Sequence, residues 1–379
     1  MADWKSPKQA AKLLSFCALL LLDLGVHLIL DLFRNALGPG RPCPAWTFRQ
    51  ALRIRVTKSL LRWASVLRIT STLSLDAGPE GERFCLVPPA PRQFYLGVMR
   101  DPAVRPHTIG GTWTPAPPHG CARAGRRDDE MRVVLHFHGG AYVMGNGRDE
   151  DTGFLAETYL SQAGFTHVFT PQYRLATSPD GRFPAALQDA LSAYWHLVAG
   201  LGIPPQRIVV AGDSAGGNVV VALLRYLFEY GEKTQLPWPA AVLLWSPWTS
   251  IAASNRAADI RASPNYATDY IHENFPLWGV QGLTGGGVIS AHDPYLSPGD
   301  GNGFNSASPI WVHTGRLEVL FENNADFVDT FRRAGTSVEW DVDANCPHDV
   351  GLMGRKLKFE KEALAAAARA GRFAARHFR

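Results

Sequence analysis

Cysteine is scarce in this chain, and its pattern builds no scaffold. Only Cys17, Cys43, Cys85, Cys121 and Cys346 occur in 379 residues, an odd number with no C-x-x-C pair. That excludes a disulfide-built secreted domain and reads as free thiols. Asn-x-Ser/Thr sequons are missing, which favours a catalytic domain that never meets the glycosylation machinery. Histidines show no metal-ligand spacing, and there are no internal repeats or low-complexity runs. A net charge of +4 is too small to argue for nucleic acid. The run Gly285-Gly286-Gly287 lacks the leading strand and the Lys-Ser/Thr sequel of a phosphate loop and reads as a turn. No cofactor, metal or nucleic-acid partner is therefore expected. Acidic residues are also absent between Asp31 and Asp76, where Arg34, Arg41, Arg49, Arg53, Arg55, Lys58, Arg62 and Arg68 all fall.

What is present suits a folded enzyme. With 46% hydrophobic and 19% charged residues, the chain can bury a large core as one domain with insertions or as two. Residues 1–40 read as a hydrophobic N-terminal helix, 41–125 as a cap and entry region, and 126–379 as a catalytic domain with a cap insertion at 250–293. The apolar run Leu13–Phe33 follows Lys5, Lys8 and Lys12, but no small-x-small cleavage site follows it. Asp23, His27 and Asp31 interrupt it at four-residue spacing, with Lys12 and Arg34 on the same side, a polar stripe on a greasy helix. Such a helix can lie in a membrane interface, span it with the stripe inward, or dock on the enzyme body. The basic, amphipathic Trp46–Ile69 suits an anionic lipid surface, and equally a cap over an active site. Membrane association, at the endoplasmic reticulum, is the expectation for the N-terminal segment. A cytoplasmic protein is the alternative.

Beyond the Pro- and Gly-rich loop Pro115–Asp129, short apolar runs alternate with helical patterns. Strands are expected at Met131–Phe137, His167–Pro171, Arg207–Ala211, Ala240–Trp245, Ser308–Thr314 and Ser337–Val342. Helices are expected at Gly153–Ala163, Pro184–Leu201, Asn218–Tyr230, Asn324–Ala334 and Glu360–His377. This alternation implies a mostly parallel central sheet covered by helices on both faces, an α/β fold. Ligands of such sheets bind beyond the carboxyl ends of the strands.

The motifs sit at those ends. Gly212-Asp213-Ser214-Ala215-Gly216 joins an apolar strand to a helix, the context that makes Ser214 a nucleophile on a strained turn. Gly212 and Gly216 are required where a Cβ would collide with the neighbouring strand and helix. His138-Gly139-Gly140-Ala141-Tyr142 follows another strand, and the N–H groups of Gly139 and Gly140 with that of Ala215 would form an oxyanion hole. A serine hydroxyl needs a general base. His348, after the strand Ser337–Val342, is the candidate; His313 lies inside an apolar strand and His377 in the terminal basic helix. The carboxylate that orients the base should follow the strand Pro309–Thr314, where Glu318 comes first, ahead of Glu322 and Asp326. Asp341 and Asp343, on the histidine's own strand, are weaker candidates. Tyr142, Tyr173 and Trp248 would suit an apolar substrate, though aromatic side chains also build cores.

These residues carry a resemblance. The chain is similar to the hormone-sensitive-lipase-like branch of the α/β-hydrolases from about Met131 onward. The blocks are His138–Tyr142, Gln172–Ala176, Phe183–Asp189, Gly212–Gly217, Ser246–Trp248 and Asp293–Pro298, in order. The resemblance implies an α/β-hydrolase fold with a helical cap from the N-terminal region and the 250–293 insertion. It implies a serine carboxylic-ester hydrolase working through an acyl-enzyme, with Ser214, His348 and Glu318 as triad. The greasy N-terminus resembles fungal members, some membrane-anchored acetyl-ester hydrolases and others natural-product enzymes. Two departures stand out: Glu318-Val319-Leu320 replaces the family's Asp-Pro-Leu, and His348-Asp349-Val350 replaces His-Gly-Phe. The expected substrate is a hydrophobic ester: acetylated, sterol-like or a natural product. The alternative is acyl transfer or intramolecular condensation by the same triad. A non-catalytic ligand receptor would show damage to the triad or the oxyanion glycines, and none is visible.

Overall fold

The computed structural model describes residues 7–36, 40–118 and 131–378. Eight strands form one sheet: β1 (Phe84–Val87), β2 (Ile109–Thr114), β3 (Val133–Phe137), β4 (His167–Gln172), β5 (Ile208–Asp213), β6 (Ala241–Trp245), β7 (Ile310–Gly315) and β8 (Val338–Asp343), in the order β1-β2-β4-β3-β5-β6-β7-β8. From β4 to β8 every pair is parallel, while β1–β2 and β2–β4 are antiparallel. The six expected strands are all present, shifted by one or two residues. The two antiparallel strands were not expected. Gly110 and Gly111 make β2 read as a loop, yet a Cβ there would lie 2.3 Å from the Phe84 ring and 2.2 Å from the Phe169 ring. Glycine in this strand makes room for rings lying across it.

Alternate side chains of the parallel strands feed two cores. Val209 and Ala211 of β5 join the layer under α3 (Asp149–Gln162) and α10 (Glu360–Ala375). Ile208 and Val210 join the larger layer under α4 (Ala185–Trp195), α5 (Ser214–Thr234) and α8 (Phe321–Arg333). On α10 the face toward the sheet is Ala363, Ala366, Ala367, Ala370 and Ala374, all buried, so small side chains let this helix sit close to the strands. The helix expected at Pro184–Leu201 ends at Trp195 and continues as one wider turn over His196–Gly200. Asp149, Glu150 and Asp151 start α3 four residues earlier than expected, because carboxylates suit a helix N-terminus.

Two further groups of helices lie over the carboxyl ends of the strands. From the insertion come α6 (Ala257–Arg261) and α7 (Asn274–Leu283). From the N-terminal region come α1 (Pro7–Ala36) and α2 (Phe48–Leu67), the latter started by a reciprocal Thr47–Gln50 capping box. α2 packs on α1, on α7 and on the short α9 (Val350–Leu357), a helix the sequence pattern did not suggest. Lys58 of α2 reaches the insertion, donating to the backbone carbonyls of Tyr266 and, at 3.2 Å, Asp269. Asp23 of α1 is buried and faces Arg55 and Arg62 of α2 at 3.4 and 3.7 Å. That part of the expected polar stripe therefore points inward. The side chains of His27, Asp31 and Arg34, like most of the 115–129 loop, lie outside the described residues. Among the described residues, no helix is long and apolar enough to cross a membrane.

Candidate active site

Register places the site. Phe137 of β3 pairs with Gly212 of β5, and Asp213 pairs with Trp245 of β6, so the loops leaving these three strands emerge side by side. β5 passes into α5 without a connecting residue, and Ser214 at the junction has φ +48°. That left-handed geometry is strained for serine and survives only because its surroundings enforce it. A Cβ on Gly216 would stand 1.9 Å from the Phe137 carbonyl oxygen, and one on Gly212 would stand 2.4 Å from that of Gly216. The glycines of the motif are there for close approach, as the sequence suggested.

The loop after β3 is left-handed at three consecutive residues, Gly140 (φ +112°), Ala141 (+51°) and Tyr142 (+62°). A network underneath holds it. Tyr142 donates to Asn218 Oδ1 at 2.7 Å, and Asn218 Nδ2 donates to the Trp248 and Leu296 carbonyls, both at 2.9 Å. Tyr173 donates to the His138 carbonyl at 2.7 Å and stacks on the His138 ring at 4.4 Å. Tyr142 and Tyr173 are thus buried supports of the loop and line neither cavity at Ser214, a correction to their expected role as substrate contacts. Trp248 does line one of those cavities. Gly139 borders the other cavity and stands close against Asp213. Its own Cβ would meet Asp213 Oδ2 at 2.2 Å.

His348 arrives between β8 and α9. Its Nδ1 lies 3.7 Å from Glu318 Oε2, and both residues are buried. This separation is longer than a hydrogen bond, so the two interact mainly by charge; such contacts are often loose before substrate binds. Glu318 itself is firmly held. Oε2 accepts from Ser246 Oγ at 2.5 Å and from the Gly315 N–H at 3.2 Å, and Oε1 accepts from Asn324 at 2.8 Å. Burial works against a charged His348, but Glu318 and then Asp269 outweigh it and raise the ring to about 9. Asp269, buried in the insertion and accepting from the Val319 N–H at 2.7 Å, is a neighbour that sequence reasoning missed. Ser246 is another, since nothing in its local pattern reveals that its hydroxyl would meet Glu318. The rejected candidates are engaged elsewhere: His313 with Asp343 at 3.0 Å, and Asp341 with Arg369 at 2.8 Å.

Two cavities meet at Ser214. One, of about 290 Å³, is mostly apolar and runs between Trp248, Ile260, Ile271, Phe275 and Leu320. The other, of about 250 Å³, is lined by His348, Gly139 and Gly140 and by Thr57 and Leu61 of α2. The cover over the site thus draws on both regions expected to form the cap.

Known proteins share this fold. The alpha/beta hydrolase fold family matches residues 134–352, leaving α1 and α2 outside the match. Over 221 residues the chain is 31% identical to an acetyl-hydrolase of Streptomyces hygroscopicus, spanning 58% of this chain and 68% of that one. Over 238 residues it is 30% identical to an ethyl acetate hydrolase of Pseudomonas putida, spanning 61% and 70%. The crystal structure of an esterase from the bacterial hormone-sensitive lipase family has the same fold, with a TM-score of 0.60 and 24% identity over 88% of this chain and 100% of that one.

Proposed function

The chain belongs to the α/β-hydrolase fold family and is a carboxylesterase-type serine hydrolase, and from that premise we propose that it cleaves a hydrophobic ester through Ser214, His348 and Glu318. The observation that carries this reading is Ser214 on its left-handed turn, sharing one cavity with a buried His348 whose partner is an anchored carboxylate. His348 takes the proton of Ser214 as the hydroxyl attacks the ester carbonyl, and Glu318 holds the ring and stabilises the imidazolium. The N–H groups of Gly140 and Ala215 receive the oxyanion. Ala141, next in the same left-handed turn, takes the place expected of Gly139. Collapse expels the alcohol, protonated by His348, and water then releases the acid from the acyl-serine.

The acyl group is small, acetyl being the choice suggested by the names of both relatives, and the apolar cavity favours a hydrophobic ester. A Ser214→Ala variant should lose turnover of an aryl acetate and labelling by an organophosphonate. Retention of either activity overturns the triad.

The N-terminal helix gives the reading a location. α1 turns Leu14, Leu21 and Leu22 outward, 73, 71 and 64% exposed, while Asp23 faces α2. An apolar outer face with its carboxylate turned inward suits the interface of a lipid bilayer. Co-sedimentation with phosphatidylcholine–phosphatidylserine vesicles tests this. Binding should fall when residues 1–40 are removed, and equal recovery with and without them overturns it.

A further inference from the structure

Two aspartates flank the reacting groups and have no part in the scheme above. Asp213 immediately precedes Ser214, and Asp349 immediately follows His348. Both are buried, and both border the cavity that holds the serine and the histidine. Asp213 Oδ1 accepts from His136 Nε2 at 2.8 Å. Among the described residues its Oδ2 accepts no hydrogen bond, and the Asp349 carboxyl is its neighbour. Two buried carboxylates in contact cannot both be ionised, because neither water nor a cation screens them. A single proton between them turns the repulsion into a charge-assisted hydrogen bond.

The surroundings decide which oxygen holds the proton. Asp213 has a donor suited to an anion in His136. Burial nevertheless pushes it up to about 6. Asp349 uses one oxygen to cap α9, accepting from the Leu352 N–H at 3.2 Å, and burial with Asp213 beside it lifts it far above the carboxylate range. His136 is kept neutral, since burial drives it down to about 3. Its tautomer is set from behind: Trp245 Nε1 donates to Tyr159 Oη at 2.7 Å, and Tyr159 faces His136 Nδ1 at 3.4 Å. That leaves Nε2–H for Asp213.

We propose that Asp349 is a positioning residue that works as a carboxylic acid, donating its proton to Asp213 Oδ2 and so clamping the His348 loop to the Ser214 turn. The backbone reinforces the clamp, because the Asp349 N–H donates at 2.9 Å to Ser246 Oγ, whose proton goes to Glu318. Each end of the triad is thereby tied to the other by atoms that never touch substrate. This assignment rests on the hydrolase reading. Loss of the Asp349 proton in alkali loosens the clamp. The titratable groups around the pair are His136 on β3, Tyr159 on α3, Tyr270 in the insertion, and His348 with its neighbours Glu318 and Asp269. Asp151 and Lys356 stand farther along the cavity wall. His136 is neutral throughout the working range, and Tyr159 and Tyr270 are held far above it by burial. His348, raised to about 9, titrates within the range followed, and its deprotonation raises the rate, opposite in sign to the loss at Asp349.

The rate of phosphonate labelling at Ser214, followed from pH 6 to 11 alongside thermal melting, tests the clamp in the full chain. Asp349→Asn keeps a donor, a cap and a residue that tolerates left-handed backbone, but carries no titrating proton. It should label within about threefold of the native rate at pH 7 and lose the alkaline decline. Asp349→Ser keeps a cap oxygen but falls one bond short of Asp213, and should label about tenfold or more slowly, with KM for an aryl acetate within about twofold of native. Melting should fall with rising pH in the native protein and less so in Asp349→Asn, because an acid with a raised folded-state pKa contributes in full only below its unfolded value of about 4 and loses that contribution as pH rises through the folded one. Native labelling by Asp349→Ser, or an unchanged alkaline limb in Asp349→Asn, overturns the clamp. Native protein that is not labelled at all overturns the hydrolase reading instead.

Discussion

The nucleophile turn and the cover above it are built by opposite means. At the turn, residues adjacent in sequence do the work: Gly212, Ser214 and Gly216 lie within one strand-to-helix junction, and each is dictated by an oxygen within 3 Å of where a Cβ would stand or by the positive φ. The cover joins α2, far upstream, to the 250–293 insertion and to α9, through contacts such as Lys58 with the carbonyl of Asp269. Rigid local geometry serves the chemistry, which tolerates little displacement of reacting atoms. The cover sets the size of the two cavities, and its side chains can change without disturbing the turn. Damage at the turn should therefore appear in kcat, and damage to the cover in KM.

The largest effect expected is for His348→Ala, which should lower kcat by about 10⁴–10⁶-fold. A loss below tenfold would break the distinction between the two regions. Glu318→Gln should cost about 10²–10⁴ in kcat and also shift the pH profile. The carboxylate holds His348 up near 9, so its removal should move the acid limb of kcat/KM to lower pH. The same pair stabilises the fold below about pH 6.5, the unfolded value of histidine, and this contribution fades as pH rises through about 9. The melting temperature of Glu318→Gln should approach native above that window. Gly140→Ala should cost about 10²–10³ in kcat, since its Cβ would sit 2.2 Å from the Met144 carbonyl oxygen and push the oxyanion donors aside.

Effects in the cover should be smaller and of a different kind. Phe275→Ala, which enlarges both cavities, should raise KM for a short aryl ester several-fold and leave phosphonate labelling nearly native. The smallest change is expected for Arg55→Ala at the partly exposed ion pair with Asp23. Such pairs are worth about 0–1 kcal/mol, so a melting shift of no more than a few degrees should be seen.

Much of the site was legible because its signals are local. Ser214, the His138 loop and the position of His348 follow from motifs at strand ends in a fixed chain order, and the parallel core from runs of Val, Ile and Leu. Glu318 was reached by counting past one strand, and it is the acid lying closest to His348. Where reading failed, the missing information was spatial. Tyr142 and Tyr173 look like substrate contacts because nothing in their neighbourhood shows that Asn218 and the His138 carbonyl consume their hydroxyls. Gly110 and Gly111 resemble a loop because the rings that require them come from β1 and β4.

By itself, the sequence determined the class of fold and pointed to Ser214, the His138 loop and His348, because strand-to-helix turns and glycine close approaches are written in consecutive residues. Tertiary structure alone decided what surrounds them: the covering role of α2, the inward turn of Asp23, the two cavities, and the Asp213–Asp349 contact. Those pairings join residues up to several hundred positions apart. Whether two buried carboxylates repel or share a proton depends on the space between them, and only the folded chain defines that space.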